Sequence, residues 1–111
     1  SSYAVYSDCK LAEDVSTEDY YNTYYAYAKA AKELGDVAGR KMIFPSSGVP
    51  SAWDYDFVQL VTTETIADYG KNWTNFWGDA TAESMPELKA LQDLGGSCEN
   101  ERTYGIVPVR N

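Results

Sequence analysis

Apolar and polar positions change period several times along the chain, and each change marks an element. Tyr3-Ala4-Val5-Tyr6-Ser7-Asp8-Cys9-Lys10-Leu11 mixes β-branched and aromatic residues in loose two-residue alternation, which predicts a strand. Ser16 followed by Thr17-Glu18-Asp19 marks a helix start, where a serine oxygen satisfies a free amide and acidic residues suit the positive end of the dipole. From there Tyr21, Tyr24, Tyr25, Ala28, Ala31 and Leu34 recur at helical spacing, with Tyr20, Asn22, Ala26 and Glu33 toward the opposite face. Lys29 and Lys32 complement the far end, and Gly35 sits where a left-handed terminating residue is expected.

The second extended run, Arg40 to Phe44, ends in Pro45-Ser46-Ser47-Gly48-Val49-Pro50-Ser51, a stretch that sustains neither a helix nor a regular ladder. A third strand is expected from Tyr55 to Thr62, where unbroken Phe57-Val58-Gln59-Leu60-Val61 reads as a central strand covered on both faces. Thr63 or Thr65 caps a second helix whose stripe is Ile66, Tyr69, Trp73, Phe76 and Trp77, ending at Gly78. A shorter helix begins at Ser84, tolerates Pro86 in its first turn, aligns Met85, Leu88, Leu91 and Leu94, and closes at Gly95-Gly96. Arg102 to Val107 forms the last strand, and Pro108 just beyond it favours an edge position. No internal repeat, low-complexity tract or linker interrupts the 111 residues, so residues 1–111 are expected to form a single α+β domain. Its order, β-α-β-β-α-β with an extra short helix before the last strand, is the split β-α-β plan of helices on one face of an antiparallel sheet.

That plan sets the first strand beside the last and antiparallel to it, so Cys9 near the end of one meets Cys98 near the start of the other. A disulfide closing so long a loop restrains the unfolded chain by roughly 4 to 5 kcal/mol in the entropy treatment. The topology favours the bridge; the alternative is two thiols buried as small hydrophobes. A bridge points to the periplasm or the outside of a cell, and two thiols are as compatible with the cytoplasm.

Composition narrows the function classes. The formal net charge of −8, from 9 basic and 17 acidic residues, repels phosphate backbones and anionic bilayers, which argues against nucleic-acid and membrane partners. No run approaches the roughly twenty apolar residues of a membrane-spanning helix, and Ser1-Ser2-Tyr3 carries neither part of a signal peptide. Histidine is absent, which removes the commonest general base and metal ligand together, and two cysteines are too few for a thiolate metal site. No metal or cofactor is therefore expected. The 10 tyrosines and 3 tryptophans raise the aromatic share to 14%, and such rings build a core, line a cavity or fill an interface.

Across nearly all of its length the chain resembles the ferredoxin-like dimeric α+β barrel proteins, in particular uncharacterised exported members from marine bacterial and environmental sequences. The likeness is carried by Cys9-Lys10-Leu11, the acid-capped helix from Ser16, Trp53-Asp54-Tyr55-Asp56-Phe57 and Gly70-Lys71-Asn72-Trp73. None of these is a catalytic signature. What the resemblance implies is a homodimer whose two sheets pack face to face, with a cavity in each subunit between sheet and helices. Relatives use that cavity for cofactor-free oxygenation, haem or dye chemistry, or ligand binding, and the lack of histidine departs from the haem and dye branches.

The candidate ligand contacts are Tyr21, Tyr24 and Tyr25 of the first helix, Tyr69, Trp73 and Trp77 of the second, Phe57 and Gln59 of the third strand, and Arg40. Plain core packing accounts for any single ring, yet buried tyrosines need partners for their hydroxyls. Lys10, Arg40 and Lys41 lie on expected strands; one pointing inward would anchor a carboxylate, but a solvated edge position is the favoured reading of each. Asp54 and Asp56, two apart, have the spacing of an acid pair with a raised pKa, and turn capping explains them without chemistry. Asn72-Trp73-Thr74 matches a glycosylation sequon, a triplet frequent by chance.

Two functions follow as expectations. One is a dimeric module binding a small apolar or amphipathic molecule, such as a fatty-acid-like carboxylate. The other is a cofactor-independent monooxygenase-like enzyme of the same barrel class, which requires Arg40, Gln59, Asn72 and Trp73 to converge on one cavity. A purely structural dimer is the third possibility.

Overall fold

The computed structural model describes residues 2–110, with the side chains of residues 79 and 80 outside that description. Four strands, β1 (Ser2–Lys10), β2 (Gly39–Ile43), β3 (Phe57–Thr63) and β4 (Ser97–Ile106), form one antiparallel sheet in the order β2-β3-β1-β4. The helices are α1 (Thr17–Glu33), α2 (Ile66–Phe76), α3 (Asp79–Ser84) and α4 (Pro86–Asp93). An antiparallel sheet with its first strand between the third and the last is the ferredoxin-like arrangement, the architecture expected from the sequence. The sheet is open, with β2 and β4 as edges.

The helix ends follow local chemistry. Ser16 Oγ accepts a bond from the Asp19 amide at 3.0 Å, and Gly35, at φ 103°, ends α1 while the Asp36 amide reaches back to the Ala31 carbonyl. Thr65 rather than Thr63 caps α2, and Pro86 opens α4, where its missing amide costs nothing. The unexpected α3 arises because Gly78 both follows α2 and serves as the cap of a further short helix, anchored by buried Ala82. Gly96 has φ 87°, and an added Cβ there would stand 2.6 Å from the Lys10 carbonyl oxygen, so this turn into β4 requires glycine.

The face that α1 buries differs from the expected one. Tyr20, Tyr24, Tyr27 and Ala31 are buried, whereas Tyr21 and Tyr25 are 52% and 59% exposed and stack on each other outside. Tyrosines at 20, 21, 24, 25 and 27 create two overlapping stripes, and rings with a hydroxyl tolerate water, so spacing alone could not choose between them. Contacts decide: Tyr20 packs on Phe57, and the Tyr27 hydroxyl donates to the Phe76 carbonyl. On α2 the expected stripe is likewise rotated, because Asn72 is buried while Ile66 and Trp73 are 53% and 55% exposed.

Strand alternation sorts the sheet into two faces. Val5, Cys9, Phe57, Val61 and Thr63 are buried on the helix side, with Tyr20, Tyr24, Tyr27, Met85, Leu88 and Leu91 above. β3 is central as expected but covered on that side only, since Val58, Leu60 and Thr62 stay half-buried on the other.

β1 and β4 pair with one irregularity. Tyr6 faces Arg102, then Asp8 faces Glu99, so one extra β4 residue is accommodated between them. Asn100 lies in this bulge at φ 58°, a conformation asparagine accepts more readily than most residues. The shift brings Cys98 opposite Cys9, and the two are joined by a disulfide across a sequence separation of 89. In regular register Cys9 would have faced Glu99, so the bulge makes the bridge possible. Asn100 and Arg102 also bond Asp8, and although burial pushes the Asp8 carboxyl up, those bonds outweigh it and hold it below its usual range.

Candidate functional site

A cavity of about 570 Å³ lies between the helix-side face of the sheet and α2 and α4, within the roughly 300 to 1,000 Å³ of small-molecule sites. Its floor is Val5, Ser7, Gln59 and Val61, with Arg40 at the β2 side. Tyr69, Asn72, Trp73 and Trp77 wall it from α2, Leu91 and Gln92 from α4, and Tyr20 from α1. The last side is Gly95 to Cys98 together with Glu101. Inward alternation places Arg40, Gln59 and Val61 here, and the β4 bulge lets Cys98 and Glu101 share the same side.

The polar end is built on Asp36. Its Oδ2 accepts from Arg40 Nη2 at 2.9 Å and from Nε at 3.3 Å; its Oδ1 accepts from the Ala38 amide at 3.1 Å and from Asn72 Nδ2 at 3.2 Å. Four donors saturate the carboxylate, and this is how a buried ion pair is tolerated. The Arg40 and Asp36 side chains are only 5% and 3% exposed. Arg40 also lies over the Tyr27 ring, 5.0 Å from its centroid, and donates to the Tyr27 hydroxyl. These bonds engage Nε and Nη2, so Nη1 is the guanidinium nitrogen they leave over.

Tyr24 stands out within this cluster. Its hydroxyl is buried without a hydrogen-bond partner among the described residues. Arg40 and Gln59, both cavity-lining, stand beside it close enough to act on the phenol, though outside strict hydrogen-bonding geometry. Burial raises the Tyr24 phenol above its ordinary value, so it is a neutral donor. Burial also pushes Tyr20 and Tyr69 up to about 12, reinforced at Tyr69 by its 2.6 Å bond to Glu101 Oε1.

Of the expected contacts, Arg40, Gln59, Tyr69, Trp73 and Trp77 line this cavity, whereas Tyr24 does not line it and is buried beside Arg40 and Gln59. Phe57, 1% exposed, belongs to the core beside Tyr20, and Tyr21 and Tyr25 face outward, away from the cavity. Asp54 and Asp56 do not form an acid pair: Asp54 bonds Lys10 at 2.9 Å, and Asp56 accepts from the Leu11 amide at 2.7 Å. Both fix the turn where β1 ends. Lys41 is exposed on the opposite face of the sheet, and Asn72 of the sequon is buried against Asp36. Sequence reading missed Asp36, Tyr27, Tyr20 and Glu101. Asp36, just after a helix-ending glycine, looks like a loop residue, and its four-residue spacing to Arg40 was the one signal available.

Among the described residues no group of three or more Cys, Asp or Glu side chains could hold a metal ion, and no helix is long and apolar enough to cross a membrane. No family model matches the chain, and no curated protein matches it. Among solved structures it is similar to a dimeric protein of unknown function and ferredoxin-like fold from Bacteroides fragilis NCTC 9343. Identity there is 15%, over 95% of this chain and 96% of that one, at a TM-score of 0.46.

Proposed function

We propose that the protein is a homodimeric ligand-binding domain whose cavity takes a small apolar or amphipathic molecule. The observation that carries this reading is the cavity itself, walled by Tyr20, Tyr69, Trp73, Trp77 and Leu91, with Arg40, Gln59 and Asn72 as its polar groups. Native mass spectrometry of the purified protein tests the reading: the expected result is a retained small molecule, or uptake of an added amphiphile that Trp77→Ala weakens at least fivefold. No uptake of any amphiphile at millimolar concentration ends it.

The dimer is supported by the sheet face without helices, where Tyr6, Val58 and Leu60 are half-buried and Ile43, Tyr104 and Ile106 are 38%, 52% and 41% exposed. A second copy laid sheet to sheet covers this face and gives the dimeric α+β barrel. Leu60→Glu is expected to convert a dimer to a monomer in light scattering. The Cys9–Cys98 bridge supports placement in the periplasm or outside the cell.

A cofactor-independent monooxygenase is the second reading, favoured by Arg40, Gln59, Asn72 and Trp73 all reaching one cavity. Oxygen consumption with electron-rich phenols tests it, and a rate equal to that of protein-free buffer rejects it.

A further inference from the structure

Two charged residues face the cavity, Arg40 and Glu101, and they are not equivalent. The Arg40 charge is matched by Asp36 at 2.9 Å, with both side chains almost wholly buried, so the pair presents little net field to a ligand. Glu101, exposed to solvent at the cavity edge, makes no ion pair among the described residues, and its one bond, from the Tyr69 hydroxyl, engages Oε1 and leaves Oε2 over. Once Asp36 is counted, the cavity lining therefore carries one net negative charge. A chain of net charge −8 adds to that field rather than opposing it. On the helix side of the same cavity stand Tyr69, Trp73 and Trp77, whose ring faces attract organic cations.

We infer that the cavity selects an organic cation, a protonated amine or quaternary ammonium on an apolar body, with the cationic end at Glu101 and the α2 rings, and discriminates against carboxylates of the same size. This rests on the ligand-binding reading and names its ligand class. The apolar body lies along Val5, Val61 and Leu91. A carboxylate meets an arginine already neutralised, together with the Glu101 charge, so the residue that suggested an acid anchor in the sequence does not act as one.

Isothermal titration with three probes of equal chain length, octyltrimethylammonium, octanoate and 1-octanol, tests the inference. The expected result is that the cation binds at least tenfold more tightly than octanoate and that added salt weakens the cation far more than octanol. Glu101→Gln keeps an oxygen to accept the Tyr69 bond, and it is expected to lower cation affinity about tenfold while changing octanol less than twofold. Octanoate binding as well as the cation, or a cation affinity untouched by Glu101→Gln, overturns the charge inference and leaves the ligand-binding reading standing. Failure of all three probes to bind removes both.

Discussion

Arg40 and Asp36 form a buried ion pair, 2.9 Å from Nη2 to Oδ2, that ties the end of α1 to the helix-side face of β2. Asn72 joins it from α2, so three elements meet at one carboxylate. Removing the cation alone strands a charge in the interior. Arg40→Leu is expected to destabilise the fold by about 3 to 5 kcal/mol, and Arg40→Leu combined with Asp36→Leu by clearly less, because the double change leaves no unpaired charge. Urea unfolding of the two variants checks this.

The Tyr24 hydroxyl has the opposite expectation. Tyr24→Phe removes an unpartnered polar group without opening a cavity, and is expected to raise the stability of the ligand-free protein by about 1 kcal/mol. Chemical denaturation of the variant beside the parent protein measures the difference.

Reduction of Cys9–Cys98 frees a loop spanning 89 positions, and the expected loss is about 4 to 5 kcal/mol in the entropy treatment. Denaturation midpoints with and without reductant measure it, while a mass increase of about 2 Da on reduction, from two thiol hydrogens, verifies the bond itself.

Alkaline titration probes Tyr20 and Tyr69, both pushed up to about 12 from an ordinary 10.0. A phenol whose folded pKa lies above its unfolded one contributes stability that is fully present below pH 10 and lost as the pH rises from about 10 to about 12. Tyrosinate absorbance is therefore expected to show late-titrating groups, and unfolding free energy is expected to fall across that interval. Tyr69→Phe should flatten part of the fall.

The order of elements was legible in the sequence because each start and stop carries its own chemistry: Ser16, Gly35, Pro86 and Gly95-Gly96 act locally, whatever the tertiary context. The pairing of Cys9 with Cys98 followed from that order alone. Which face of α1 turns inward did not, since five tyrosines within eight positions remove the polar contrast on which periodicity depends. Asn72 was unreadable for a related reason. A buried amide on an aromatic helix makes sense only once Asp36 is in place beneath it, and that contact joins residues 36 positions apart. Glu101 depends on the Asn100 bulge, whose cue in the sequence is a single asparagine among polar neighbours.

The disulfide also determines how the molecule responds to mechanical load. Force applied to the outer ends of β1 and β4, at Ser2 and Ile106, peels the two strands apart one hydrogen-bonded pair at a time. Unzipping halts at Cys9 and Cys98, because the tension then runs through a covalent bond. The chain between the cysteines, including α1, β2, β3 and α2, lies off the covalent path of that tension, so stretching extends only the short lengths outside the bridge.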